Sequence, residues 1–254
     1  MEGSSKIPSI LYYDRSGKVR AVGAEARPGR ILEISLEEQW IKSEWYDTPF
    51  VLGVYPLNNA IRFKLHLLTS TGGKNISADI PALPRNKTAV EVFADYLRYI
   101  YACATTFIQD NNLEGADLWK ALKDDADIVL SHPNGWEGPQ QGKMRQAAVL
   151  AGIIPDTTEG HERITFVTEG EASLHFAVHS GVLSRGLKVM FHFLHDSYSG
   201  MRLKYWQPDD GVIIVDCGGG TIDVSAYKRT QDVKKTLEEI AVSQCQCSFD
   251  AFNW

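Results

Sequence analysis

The chain has 254 residues, of which 44% are hydrophobic and 23% charged, and its formal net charge at pH 7 is -6. This composition predicts a globular protein of one or two compact units, and an acidic chain without a basic cluster excludes nucleic acid as an expected partner. No run reaches the roughly 18 to 20 apolar residues of a membrane-spanning helix. The N-terminal sequence also lacks the apolar segment of a signal peptide, so we expect no membrane contact and a cytoplasmic location.

The first third of the chain predicts a hairpin followed by a variable region. Residues 10 to 13 and 19 to 22 are strand-like and flank a polar turn, which is typical of two antiparallel strands. A loop-rich region follows as far as Arg85. Within it, residues 61 to 68 alternate between apolar and polar side chains, which predicts a strand.

A long helix is predicted to begin after Thr88. Thr88 and Glu91 have the spacing of a capping box, in which each residue bonds the backbone N-H of the other. Apolar residues then recur at helical spacing from Phe93 to Phe107, which indicates a helix that continues to Asp110. We expect this apolar stripe to lie in the protein core.

The middle of the chain predicts an alternating series of strands and helices. The strands are expected at residues 128 to 130 and 164 to 167, and the helices at about 140 to 151 and 170 to 180. This order is typical of an α/β protein. Residues 181 to 210 follow no clear period, and we expect an insert or loop of low order there.

The segment from Val212 to Arg229 carries the strongest functional signal. Two strand-like halves are joined by Gly218, Gly219 and Gly220, whose missing Cβ atoms let backbone N-H groups approach an anion closely. Asp216 and Asp223 flank this bend, and their carboxylates can hold a hydrated Mg²⁺, which prefers oxygen ligands. Thr221 adds a hydroxyl donor. The pattern therefore predicts a hairpin that binds the phosphates of a nucleotide.

Other interpretations of the glycine run fit less well. An ordinary hairpin with a flexible turn would explain three glycines but not the two acids beside them. A dinucleotide-binding loop must open a helix, whereas this bend leads into a second strand. A Walker A loop would continue with Gly-Lys-Ser or Gly-Lys-Thr, which is not the sequence here.

The segment from Asp216 to Ser225 resembles the second phosphate loop of the actin-like ATPase superfamily, in particular its heat-shock protein 70 (DnaK-type) branch. Three earlier stretches resemble that family in the same order, and they lie at residues 7 to 26, 127 to 152 and 164 to 173. These stretches differ from the typical family sequence in the way that the fungal relatives and the long animal variants of the family do. The resemblance covers residues 7 to 180 and 211 to about 240.

The resemblance implies an α/β protein with the actin-like ATPase (ribonuclease H-like) fold. Lobe I would be nearly complete but would lack its first strands, and lobe II would only begin. Residues 7-86 would form a peripheral subdomain of lobe I and residues 87-180 its core subdomain. The insert would occupy residues 181-210, and residues 211-254 would start lobe II with the phosphate hairpin.

The resemblance also implies roles for single residues, with ATP and Mg²⁺ as the bound groups. Lys64 corresponds to the lysine that orients the attacking water, and Glu169 to an acid that reaches the Mg²⁺ shell through water. Asp216 is implied in both catalysis and Mg²⁺ binding, and Asp223 in Mg²⁺ binding. Gly170 stands where the family has a proline. Pro133 corresponds to a proline that links nucleotide state to a partner domain, although a simple strand terminator explains it equally well.

Two histidine pairs have spacings that can bind a metal. His175 and His179 are four residues apart in a predicted helix, and His192 and His195 are three apart in the insert. Neither pair has a cysteine or carboxylate that its sequence context marks as a further ligand. Buried or solvated histidines are therefore the simpler interpretation.

Family members begin with a first phosphate loop and carry adenosine-binding segments beyond the second loop, and neither element is found in this sequence. We therefore expect a fragment of a chaperone ATPase whose hydrolysis is weak or lost. Its expected partners are ATP and ADP, with co-chaperone or client proteins as further candidates. Two alternatives remain: a non-catalytic interaction fragment with the same fold, and a sugar or acetate kinase of the same superfamily.

Overall fold

The computed structural model describes residues 7–26, 30–44, 61–68, 82–180, 211–217, 221–230 and 237–247. These residues form a mixed α/β protein with small sheets. The chain divides into two compact units, one of residues 1–129 with 136–165 and one of residues 130–135 with 166–254. The predicted subdomain boundaries remain a prediction. Within the described part of the chain, no helix combines the length and the apolar character that crossing a bilayer requires.

The first unit begins with a four-stranded sheet. Strands β1 (Ile10–Tyr13) and β2 (Val19–Val22) pair antiparallel, which confirms the predicted hairpin, and a single 3-10 turn (Gly23–Ala26) follows. Helix α1 (Arg30–Glu37) then leads to β3 (Ile41–Glu44), which pairs antiparallel with β1. Helix α1 and strand β3 lie where the sequence predicted loops.

The segment predicted as a strand at residues 61 to 68 is mostly helical. Only β4 (Ile61–Arg62) is a strand, paired parallel with β3, and helix α2 (Phe63–Leu67) follows directly. A half-buried strand would expose Lys64 on the side opposite its apolar neighbours. In the structure Lys64 is 0% exposed and is buried together with Phe63, Leu65 and Leu67, so the alternating pattern was misleading here.

Helix α3 (Ala89–Asn111) confirms the long predicted helix. Thr88 and Glu91 form both bonds of the capping box, with Glu91 N-H donating to Thr88 Oγ1 and Thr88 N-H donating to Glu91 Oε2. The apolar stripe is buried only in its first half. Phe93 and Leu97 lie in the core, whereas Phe107 is 66% exposed, so the expectation that the whole stripe packs inside is wrong.

An ionic cluster around Asp95 connects β1 to α3. The Tyr13 hydroxyl and the Lys87 ammonium donate to Asp95 Oδ2 at 3.1 and 2.7 Å, and Arg98 donates to Oδ1 at 2.7 Å. Arg98 also donates to the carbonyl oxygen of Leu150 at 2.6 Å. Burial and the neighbouring Asp95 carboxylate raise the pKa of Tyr13 far above its ordinary value. Tyr13 is therefore a neutral donor throughout the physiological range.

The remaining helices of the first unit are α4 (Gly115–Leu122), α5 (Gly138–Leu150) and α6 (Thr158–Glu162). Strands β5 (Ile128–His132) and β6 (Ile164–Thr168) form a separate two-stranded sheet. The predicted order of strand, helix, strand and helix is confirmed by β5, α5, β6 and α7 (Glu169–His179).

The second unit contains a three-stranded antiparallel sheet. Its strands are β7 (Gly211–Cys217), β8 (Thr221–Arg229) and β9 (Leu237–Cys247), with β8 in the centre. The pairing of β7 with β8 confirms the predicted hairpin, whereas β9 was not predicted. Helix α7 packs against β7 and β8. This sheet and helix position most of the candidate site.

Candidate functional site

The two aspartates of the glycine-rich motif lie directly opposite each other in the sheet. The register of β7 and β8 pairs Asp216 with Asp223. Directly opposed residues of an antiparallel pair point to the same face, so both carboxylates lie on one side of the hairpin. Asp216 is half-buried, whereas Asp223 is only 1% exposed. Gly218, Gly219 and Gly220 fall outside the described residues, and Thr221 is described only as the first residue of β8.

The buried carboxylate of Asp223 is held by the main chain of Asn134. The Asn134 N-H donates to Asp223 Oδ1 at 2.6 Å. Asn134 follows β5 in a tight turn, because Pro133 has no N-H to continue the strand and Gly135 adopts a left-handed φ of 73°. A hydrogen bond to a buried carboxylate offsets part of its desolvation cost. The turn therefore fixes one oxygen of Asp223.

The side chain of Asn134 extends the same contact across two strands. Its Nδ2 atom donates to Ser225 Oγ at 2.9 Å and to the carbonyl oxygens of Val224 and Gln244, each at 3.3 Å. Asn134 is itself 1% exposed, and its Oδ1 atom is buried without a hydrogen-bond partner. An unsatisfied buried acceptor costs free energy, so this position is not optimised for stability alone.

Ser225 continues the polar contacts from β8 to β9. It is 1% exposed, accepts from Asn134 Nδ2, and accepts from the Ser243 hydroxyl at 3.0 Å. The Ser243 hydroxyl also hydrogen-bonds to the carboxylate of Glu239. Asn134, Ser225 and Ser243 therefore form a hydrogen-bonded row beside Asp223. The sequence predicted the Ser225 position as part of the motif but gave no sign of Asn134 or Ser243.

Gly170 allows the start of α7 to approach this row. A Cβ atom at position 170 would lie 2.2 Å from Ser225 Oγ and 3.3 Å from Asn134 Oδ1, which leaves no room for a side chain. The helix is capped by Thr168, whose hydroxyl accepts from Glu171 N-H at 3.0 Å. Glu169, the first residue of α7, precedes Gly170 directly and is half-buried. The second unit thus brings Glu169 to the side of the sheet where Ser225 lies.

Lys64 belongs to the first unit. It lies in the short helix α2, which the Lys143 ammonium anchors through a 2.8 Å bond to the carbonyl oxygen of Leu67. Its side chain is fully buried rather than projecting from a strand. The catalytic role that the family resemblance implies for Lys64 remains a prediction.

The acids of the second unit are candidate ligands for Mg²⁺ or for its bound waters. Carboxylate oxygens are suitable ligands for Mg²⁺, which usually keeps several of its waters. Among the described residues, no three histidine, cysteine, aspartate or glutamate side chains converge closely enough to hold a metal directly. Asp216 and Glu169 are half-buried and so expose part of each carboxylate, whereas Asp223 is only 1% exposed.

The first unit contains an open cleft that holds none of the predicted site residues. It has a volume of about 570 Å³ and is lined by residues that include Arg145, Asp156, Thr158 and His161. The His161 ring nitrogen Nε2 lies 2.9 Å from Asp156 Oδ1, and Arg145 Nε donates to the His161 carbonyl oxygen at 3.3 Å. His161, Asp156 and Arg145 are thus already paired with each other or with the backbone.

Comparison with known proteins gives one informative similarity. No protein-family model matches the chain. Human "Heat shock 70 kDa protein 12B" is 28% identical over 183 residues, which is 60% of this chain and 26% of that relative. The chain thus spans about a quarter of the length of the relative. This similarity supports a distant relation to the heat-shock-70-like members of the actin-like ATPases, with which the mixed α/β fold is compatible.

Proposed function

We propose that this chain contains the nucleotide-binding, ATPase-like domain of a heat-shock-70-like protein and that the β7-β8 hairpin binds the terminal phosphates of ATP or ADP with Mg²⁺. The observation that supports this most directly is the cross-strand pairing of Asp216 with Asp223, on the two strands that the three glycines join in sequence. The similarity to human "Heat shock 70 kDa protein 12B" supports the same family.

In this proposal each residue has the role that its position in the hairpin or its hydrogen bonds favour. The backbone N-H groups of Gly218, Gly219 and Gly220 donate to phosphate oxygens, and Thr221 adds its hydroxyl. When bound, Mg²⁺ supplies positive charge that offsets the charge of the phosphates. Asp223 is fixed by the Asn134 turn, so it can orient water with one constant geometry.

Asp216 and Glu169 complete the acidic set in this proposal. Both are half-buried, which leaves part of each carboxylate accessible to the water shell of the ion. Lys64 takes the role that the resemblance implies, which is orientation of the attacking water. Its burial in α2 would keep the ammonium poorly hydrated and so strengthen its interactions.

The finer family features are part of the proposal as well. We propose the actin-like ATPase fold, with lobe I at residues 7-180 and the start of lobe II at residues 211-254. Slow or absent hydrolysis by the 254-residue chain, a cytoplasmic location, and co-chaperone or client partners stay predictions.

One observation favours the alternative of a non-catalytic interaction module. The sheet of the second unit exposes several β-branched side chains, with Ile213 70% exposed and Val242 84% exposed, together with Val215 and Ile240. Exposed apolar patches of this kind often mark protein-protein contacts. Under this alternative, the chain would bind a protein partner without binding nucleotide.

A titration of the purified chain with ATP in the presence of Mg²⁺ separates these readings. The proposal predicts saturable binding, whereas the interaction module predicts none. If hydrolysis is measurable, the Lys64→Ala and Asp216→Ala variants distinguish the remaining superfamily alternative. Loss of hydrolysis in both supports the heat-shock-70-like mechanism, and loss only in Asp216→Ala would favour a sugar or acetate kinase.

A further inference from the structure

Helix α7 carries two histidines on one exposed face. His175 and His179 lie four residues apart, and their rings stack with centroids 6.4 Å apart and planes inclined by 20°. Both residues are exposed. The helix beneath them is fixed by the Thr168 cap, by the buried Leu174 and by its packing on β7 and β8. The two imidazoles therefore project from a well-supported helix.

We propose that His175 and His179 form a binding site for a borderline divalent transition-metal ion, such as Ni²⁺, Cu²⁺ or Zn²⁺. Residues at i and i+4 of an α-helix are one turn apart and point the same way, so both rings can reach one ion. Neutral imidazole nitrogen is a preferred ligand of these ions, whereas Mg²⁺ prefers oxygen. The site thus differs in chemistry from the proposed Mg²⁺ site and does not depend on nucleotide binding.

The separation of the two rings allows both to reach one ion after a change of side-chain rotamer. A metal-nitrogen distance of about 2.0 to 2.1 Å requires the two ligating nitrogens to lie roughly 3 to 4 Å apart. The ring centroids lie 6.4 Å apart, and because rotation about the side-chain torsions of exposed residues is fast, both rings can turn one nitrogen toward a shared ion. His175 Nε2 lies 3.9 Å from Glu171 Oε1, so this ring turns away from Glu171 when it faces His179.

Glu171 lies too far from His179 to share the ion with both histidines. The eight residues that separate these two positions correspond to about 12 Å along the helix axis. This agrees with the finding that no three potential ligands converge among the described residues. The ion therefore takes two protein ligands and completes its coordination with water, and the nearby carboxylate of Glu171 adds a favourable negative charge.

The direct test is calorimetric titration of the whole chain with Ni²⁺. All proteins carry His192→Ala and His195→Ala, which removes the second histidine pair of the sequence. We expect saturable binding in this background, and we expect His175→Ala and His179→Ala each to raise the Kd at least tenfold. The control is His161→Ala, which removes a half-buried histidine outside α7 and should change the Kd less than twofold. Unchanged binding in either α7 variant, or equal loss in the control, would overturn the site.

A register control tests the helical spacing itself. Phe176 is exposed, so combining Phe176→His with His179→Ala keeps two histidines on α7 but places them at adjacent positions, which do not face each other. We expect this variant to bind at least tenfold more weakly, and retained affinity would show that spacing is irrelevant and refute the proposal. Glu171→Gln should change the Kd less than threefold. A tenfold loss there, with His179→Ala unaffected, would instead place the ion between Glu171 and His175.

Discussion

The buried amide of Asn134 offers the sharpest test of how the second unit is built. Asn134→Asp keeps the size of the side chain but replaces the Nδ2 donor by a carboxylate oxygen. That oxygen would face the carbonyl oxygens of Val224 and Gln244, which are acceptors like itself, and it could keep a bond to Ser225 only if the Ser225 hydroxyl became the donor. An uncompensated buried charge costs about 3 to 5 kcal/mol. We therefore expect a loss of that size in the free energy of unfolding at pH 7.

Asn134→Ala is the matched comparison, and its expected effect is much smaller. Loss of the 2.9 Å bond to Ser225 costs about 1 kcal/mol, and the two 3.3 Å contacts count for less because they are long. The vacated space costs about 1 kcal/mol more. Against this, removing the unpartnered Oδ1 atom recovers about 1 to 3 kcal/mol. The alanine variant should therefore lie within about 1 kcal/mol of the parent protein.

Urea unfolding followed by circular dichroism at several pH values measures both variants. Burial raises the pKa of the introduced carboxyl above the ordinary value of about 3.9, so its penalty is full at pH 7 and shrinks as pH falls toward 4. Stability relative to the alanine variant should therefore recover on acidification. Equal stability of the two variants at pH 7, without any pH dependence, would refute the placement of the Asn134 amide.

Three further outcomes follow from the described contacts. Gly170→Ala should lower the free energy of unfolding by about 1 to 3 kcal/mol, because the new Cβ atom would collide with Ser225. Adding Ser225→Gly to the same chain should recover part of that loss. A Gly170→Ala variant as stable as the parent protein would contradict this packing. Asp95→Ala should lower the free energy of unfolding in urea by about 1 to 3 kcal/mol, since it removes the shared partner of Lys87 and of the half-exposed Arg98; a loss below about 0.5 kcal/mol would contradict it. Hydrogen bonds from the Thr88 backbone N-H and, to a smaller extent, from its hydroxyl lower the pKa of Glu91. The ionised Glu91 therefore stabilises the folded state above about pH 4.3, and Glu91→Ala should lower the Tm there. The difference in Tm between the two proteins should disappear as the pH falls and Glu91 becomes protonated. An equal decrease at pH 3 and pH 7 would contradict the capping role.

Local signals in the sequence predicted those elements that depend on neighbouring residues. The capping residues Thr88 and Glu91 marked the start of α3, and two acids around three glycines marked the β7-β8 hairpin. The strand predicted at residues 61 to 68 was wrong for most of its length, because period-two alternation cannot distinguish a half-buried strand from a short helix buried on several sides. Lys64 shows this difference, since it is as buried as its apolar neighbours.

Contacts between distant residues could not be predicted in this way. Asn134 and Asp223 are 89 positions apart, and the Pro-Asn-Gly sequence indicates a turn without indicating its partner. The same holds for Gly170, whose small size matters because Ser225 lies against it. Strand β9 was missed because polar and charged residues such as Glu238, Gln244 and Ser243 obscure its strand pattern. These features depend on tertiary contacts rather than on local propensity.

The proposed function requires that the acids of the β7-β8 hairpin bind a nucleotide through Mg²⁺. Calorimetric titration with ATP, with and without Mg²⁺, tests it on the parent chain, on Asp216→Asn, and on Asp117→Asn as a matched control at an exposed helical position. We predict saturable, Mg²⁺-dependent binding that weakens at least tenfold in Asp216→Asn and is unchanged in Asp117→Asn. No Mg²⁺-dependent binding by the parent chain, or equal binding by Asp216→Asn, would refute the proposed nucleotide site.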